Sequence, residues 1–147
     1  MTLLNDIAWA FNSKDYDTLS GFNTAVTAYN QKTMKERDNW HPEQIVVDSP
    51  KVSIAYEYYV TEHDARFADE EMETEEVYEE QEDSEQEVVV TFTADNGNSF
   101  TALELLYKLH QRLRVRELGD HIFFEGLGSF NDSEQNNPLL YYLNCGS

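Results

Sequence analysis

Apolar residues change their period repeatedly along this chain, and each change marks an element. Leu3, Leu4, Ile7, Ala8 and Phe11 recur at helical spacing, with Asn5, Asp6 and Asn12 filling the other side, which predicts a short amphipathic helix capped by Thr2. Leu19, Phe22, Val26 and Tyr29 step by three, four and three residues. Lys32, Lys35 and Arg37 gather toward the far end of this run, where a helix dipole favours cations. The second, longer helix must stop before Trp40-His41-Pro42, because proline disfavours helical geometry in the residue ahead of it.

From Val52 the period becomes two. Val52, Ile54, Tyr56, Tyr58 and Val60 alternate with Ser53, Ala55, Glu57, Tyr59 and Thr61, as a strand with one buried face requires. Gln44 to Asp48 predicts a shorter strand, turned by Ser49-Pro50 into the long one. Glu87 to Thr93 predicts another, rich in β-branched residues, and these strands are expected to pair antiparallel. Asp95-Asn96-Gly97-Asn98 is turn chemistry, and Thr101-Ala102-Leu103-Glu104 then matches a capping box, with Phe100 and Leu105 placed as its hydrophobic staple. In the helix so begun, Ala102, Leu106, Leu109 and Leu113 form the inward stripe, and Gly119 offers a stop. Ile122-Phe123-Phe124 and Leu139 to Leu143, joined by the polar stretch Asn131 to Asn137, predict a closing hairpin.

These elements predict an α+β fold: N-terminal helices, a mostly antiparallel sheet of about four to five strands, one further helix near residues 101–115, and a C-terminal hairpin. No repeat or glycine-rich linker divides the chain, so residues 1–147 are expected to form one domain. No apolar run approaches the roughly 20 residues of a transmembrane helix. The first residues lack the basic and apolar regions of a secretory signal, which predicts a cytoplasmic protein. A single cysteine, Cys145, excludes an intrachain disulfide and is read as a packing thiol.

Charge changes this picture most. Against 10 Lys and Arg stand 29 Asp and Glu, a formal charge of −19, which repels nucleic acid and anionic lipid alike. The charge is concentrated: from Asp69 to Glu87, 12 of 19 positions are acidic and none is basic, so this segment between two strands supplies −12 of the total. Met72, Val77 and Tyr78 are apolar groups embedded in the run, of little use to a purely solvated loop. On a strand, Glu71, Glu73 and Glu75 would project to one side roughly 6.6 Å apart; on a helix, Glu76, Glu80, Asp83 and Glu87 would share a face. Either arrangement is a negative ridge suited to capturing a basic protein on the surface it uses for nucleic acid. The expected contact residues are Glu71, Glu73, Glu75, Glu76, Tyr78, Glu79, Glu80, Glu82 and Asp83.

In size and acidity the chain is similar to immunity proteins, as a class only. An antitoxin and a nucleic-acid mimic share the same physics. A rival from another class is an assembly or adaptor subunit, phage-encoded or accessory, in which the acidic run only keeps the protein in solution. No catalytic residue, metal or cofactor is expected. His121 and Glu125, four apart on a predicted strand, would stand roughly 13 Å apart along it and cannot share a proton. His63-Asp64 would point to opposite faces, and Asp95 to Ser99 has calcium-loop oxygens but misplaces its glycine. Trp9, Tyr59 and Tyr142 fall opposite the main apolar faces of their elements, where they either cover the second face of the sheet or line a groove.

Overall fold

A computed structural model describes residues 2–59, 70–72, 85–129 and 139–146. In chain order the elements are β1 (Thr2–Leu3), α1 (Leu19–Thr33), β2 (Ile45–Val47), β3 (Lys51–Tyr59), β4 (Glu70–Met72), β5 (Glu85–Thr93), β6 (Phe100–Thr101), α2 (Ala102–Leu113), β7 (Phe123–Ser129) and β8 (Leu139–Gly146). The class is α+β. Six strands form one sheet in the order β1-β7-β8-β3-β5-β4, and β2 with β6 makes a separate ribbon.

The alternation in β3 buries Val52, Ile54, Tyr56 and Tyr58 against a core that also takes Val88, Val90 and Phe92 from β5. These two strands are antiparallel and in register, Val52 opposite Phe92 and Tyr56 opposite Val88. On the other face Ser53 and Ala55 are buried as well, and the Ser53 and Thr91 hydroxyls meet across the strands at 2.7 Å. The closing hairpin is present as β7 and β8. Its second strand does something the sequence did not predict: β8 runs parallel to β3, pairing Val52 to Ala55 with Leu139 to Tyr142, and so stands in the middle of the sheet.

Both helices form where the spacing places them. Thr18 caps α1 by accepting from Gly21 N–H at 3.0 Å, and Phe22, Val26 and Asn30 are its buried stripe. In α2 the predicted Ala102, Leu106, Leu109 and Leu113 are all buried, together with Leu105 and His110. Thr101 accepts from Glu104 N–H at 3.1 Å, which is half of the capping box. The Glu104 carboxylate reaches outward instead, accepting from Asp95 N–H at 2.9 Å and pairing with Lys108 at 2.9 Å. The helix closes at Arg114 rather than at Gly119. Gly119 adopts φ +63 in a later turn, where a Cβ would lie 2.9 Å from the Tyr59 ring.

Two expectations are corrected. No helix forms over Leu3 to Phe11. β1 pairs with β7, the chain swings out through Leu4 and Asp6 at φ 58 and 61, and it rejoins the same edge where Ala10 bridges Phe123. Phe124 N–H donates to Trp9 C=O and Phe11 N–H to Ile122 C=O, each at 2.8 Å. The reason is Trp9: Ile7, Trp9 and Phe11 are all buried, and that alternation is a strand's, whereas a helix would leave the indole in water. Nor does β2 fold back on β3. Ile45 and Val47 pair with Thr101 and Phe100. The carbonyls of Pro42 and Gln44 there accept from Leu103 and Ala102 at 3.1 and 2.8 Å, giving partners to amides that the start of a helix leaves open.

Candidate functional site

The acidic segment is tied to the sheet at both ends. β4 lies at the outer edge and pairs antiparallel with β5, Glu70 opposite Val90, Glu71 opposite Val89 and Met72 opposite Val88. The segment returns as the first residues of β5, with Glu85 opposite Tyr59 and Glu87 opposite Glu57 on β3. Of the expected contact residues, Glu71 is therefore on the edge strand. Glu73, Glu75, Glu76, Tyr78, Glu79, Glu80, Glu82 and Asp83 lie outside the described residues, as do His63 and Asp64.

On the far side of β3 from this edge, between β3 and β8, the sheet opens. β3 and β8 are paired only from Val52 to Ala55 on the β3 side; past that point β3 stays with β5 and β8 stays with β7. The strands part there, leaving a cleft of about 580 Å³ lined by Tyr56 to Tyr59, Glu57 and Glu87, Leu118, His121, Glu125 and the β8 residues Tyr142 to Cys145. Glu57 and Glu87 are direct cross-strand neighbours. Side chains so placed have Cβ atoms about 4.5–5.5 Å apart, where two like charges oppose folding. Among the described residues three carboxylates and no Lys or Arg line the opening, and walls of low polarizability focus such a field outward. Arg116, itself buried, stacks its guanidinium 4.2 Å from the Tyr58 ring centroid.

The other residues singled out for chemistry lie among the described ones. His121 precedes β7 in a turn, where it pairs with Asp120 at 3.5 Å, and Glu125 is on the strand; both line the cleft. Among the described residues no group of three His, Cys, Asp or Glu side chains is disposed to hold a metal ion. The thiol of Cys145 is pushed up to about 12 by burial and by the nearby Glu125 carboxylate, so it keeps its proton at neutral pH. Asn96 makes a turn, its Oδ1 accepting from Asn98 and Ser99 N–H at 2.8 and 2.9 Å. Tyr59 and Tyr142 line the cleft as the groove reading has it. Trp9 does not: it is 4% exposed and packed inside.

Sequence patterning missed the polar groups of the interior. Asn30 is fully buried and bonds the backbone of Ala8. His110 is fully buried and bonds Trp9 and Lys14. Burial holds the imidazole below its ordinary value, aided by the charge of Arg114 and opposed by the Lys14 hydrogen bond and Asp15. His110 lies one residue past the apolar stripe of α2, which was its available signal. The Glu57–Glu87 juxtaposition depends on register, which no single strand reveals. Comparison with protein-family models, curated proteins and solved structures finds no match for the chain.

Proposed function

We propose that this chain is an acidic, non-enzymatic binding protein that neutralises a basic protein partner, in the manner of an immunity protein or antitoxin held against a nuclease-type toxin. The observation that carries this reading is the attachment of the −12 segment by strand pairing at both ends, Glu70–Met72 and Glu85–Glu87, the second end running into a cleft where Glu87 meets Glu57 and Glu125. Carboxylates concentrated in one stretch of chain act together at long range and raise the rate at which a cationic surface arrives. Tyr59 and Tyr142, at the same opening, supply aromatic surface of the kind that slows departure. Salt weakens the first effect, with a screening length of about 10 Å at 0.1 M, and spares the second.

The test begins with capture from the native cell on the immobilised chain, followed by kinetics on the recovered partner. Replacing Glu73, Glu75, Glu76, Glu79 and Glu80 together by Gln is expected to slow association by about tenfold and to flatten its salt dependence. Unchanged association rates at all ionic strengths would remove the electrostatic mechanism. Deleting residues 69–83 addresses the adaptor reading: retained binding with an intact fold would support that reading and reject this one.

A further inference from the structure

The segment between the N-terminal edge and α1, residues Asn12 to Asp17, crosses α2 as a strap. It is held by side chains that lie on one face of that helix, at positions 107, 110, 111 and 114. Tyr107 Oη donates to Tyr16 C=O at 2.7 Å, Gln111 Nε2 donates to Asp15 Oδ1 at 2.7 Å, and Arg114 pairs with Asp15 at 3.7 Å. His110 stands at the centre. Its Nε2 bonds Lys14 C=O at 2.8 Å, so Nε2 must carry the hydrogen, and its Nδ1 accepts from Trp9 Nε1–H at 3.2 Å. One imidazole thereby joins α2 to the strap at Lys14 and to Trp9 just ahead of it, and it does so only as the neutral Nε2–H tautomer.

The enclosure leaves little room for a second proton. Trp9, Tyr16, Phe22 and Phe11 surround the ring with centroids 5.2–6.3 Å away. α1 presents Phe22 to it, and the β7 side presents Phe124 behind Phe11, neither of them ionisable. The charged groups that act on it are Arg114 on α2 and Asp15 on the strap. The Lys14 ammonium is turned over the outer Tyr16 ring at 4.8 Å. The titratable phenols nearby are Tyr16 and Tyr107, with Tyr29 against the far side of Trp9. The partner of Nδ1 is the Trp9 indole, so a proton placed there faces the indole N–H, donor against donor.

We propose that His110 is an acid-operated latch: a proton on Nδ1 removes the acceptor that holds Trp9 and frees residues 12–17 from α2 while the sheet stays formed. The neutral ring satisfies one donor and one carbonyl at once. The charged ring can keep Lys14 C=O but repels the indole N–H, and solvation of the new charge requires the strap to lift. Its remaining ties are the Tyr107 and Gln111 hydrogen bonds, the loose Arg114 pair and the packing of the Tyr16 ring on Trp9 and Phe22. The strap connects an edge strand to α1 and contributes nothing to β3, β5 or β8, so its release leaves their ladders intact. The device is separate from the cleft and independent of any partner.

The experiment is a pH titration of the full chain by proton–nitrogen NMR. Expected is loss of the Trp9 indole signal, and faster exchange of the amides of residues 14–17, in step with the titration of the His110 imidazole. The Trp40 indole, bonded to Asn23 Oδ1 at 2.8 Å, and the β3 amides should hold their positions. His110→Gln should abolish the step, since an amide does not take up a proton in this range. If that variant fails to fold, Trp9→Phe serves: it removes the bond that favours the neutral ring, so the His110 midpoint should move to higher pH. Strap signals that ignore the imidazole titration would overturn the proposal. So would loss of strap, Trp40 and β3 signals in a single transition, an unaltered step in His110→Gln, or an unmoved midpoint in Trp9→Phe.

Discussion

Asn30 offers the sharpest test of how the N-terminal segment is held. That segment carries no helix, so the backbone of Ala8 needs partners from elsewhere. Asn30 supplies both: its Oδ1 accepts from Ala8 N–H at 2.8 Å and its Nδ2 donates to Ala8 C=O at 2.9 Å. A further bond from Nδ2 to Val26 C=O, also 2.9 Å, fixes the amide to its own helix. Asn30→Leu keeps the volume and removes all three bonds, stranding one donor and one acceptor at a half-buried site. Each stranded group costs about 1–3 kcal/mol when fully buried, so a net loss of about 2–4 kcal/mol is expected. For a chain of this length that corresponds to a fall of roughly 5–15 °C in Tm. Asn30→Asp should lose more, because a carboxylate would face the Ala8 and Val26 carbonyls. Urea unfolding followed by tryptophan fluorescence measures both, with Thr24→Ala on the exposed side of α1 as a control expected to change stability by under about 0.5 kcal/mol. Asn30→Leu within about 0.5 kcal/mol of the wild type would refute the assignment of this side chain as the fastening.

Other outcomes follow from single observations. Because the folded value of His110 lies below the ordinary 6.5, the unfolded chain takes up its proton first. This group's contribution is intact above pH 6.5 and falls as pH drops toward the folded value; denaturation midpoints rising on acidification across that window would contradict it. Cys145, raised to about 12 from 9.0, holds about a thousandfold less thiolate than a free thiol at the same pH. Alkylation at pH 8 should accordingly be slow in buffer and fast in denaturant, and equal rates would count against its burial. Gly126 sits at φ +99, where an added Cβ would come 3.2 Å from Leu3 C=O. Gly126→Ala should cost about 1–3 kcal/mol and loosen β1 from β7, visible in amide exchange of Thr2 and Leu3; unaltered exchange would speak against the strain.

Period and punctuation carried the middle of the chain. The alternation from Val52 to Tyr58 named the buried face of β3 residue by residue, and Thr101 with Phe100 located the start of α2, because both signals are local. They failed at the N-terminus, where five apolar residues fit a helical stripe and one indole did not. Trp9 was the discrepant position, and it reports the true period with Ile7 and Phe11. The cleft was illegible for a different reason. Its opposed glutamates come from strands thirty residues apart in sequence, and its width comes from β8 leaving β3 after Ala55. No pattern within one element encodes a register or a parting of strands. The buried Asn30 and His110 were hidden in plain helical sequence, since a polar residue on an inward face looks like an error until its backbone partner is known.

The interior position of β8 has a bearing on how the molecule assembles. Between β7 and β3, residues 139–146 supply the hydrogen-bonding partners for an edge that residues 52–55 expose some ninety positions earlier. Without that late strand, a β3–β5 ribbon would have an open flank of buried-type residues, the kind of surface that recruits foreign strands. Loop closure over such a span also delays the sheet relative to the helices. A chain shortened before residue 139 should therefore be judged less by lost stability than by aggregation during synthesis.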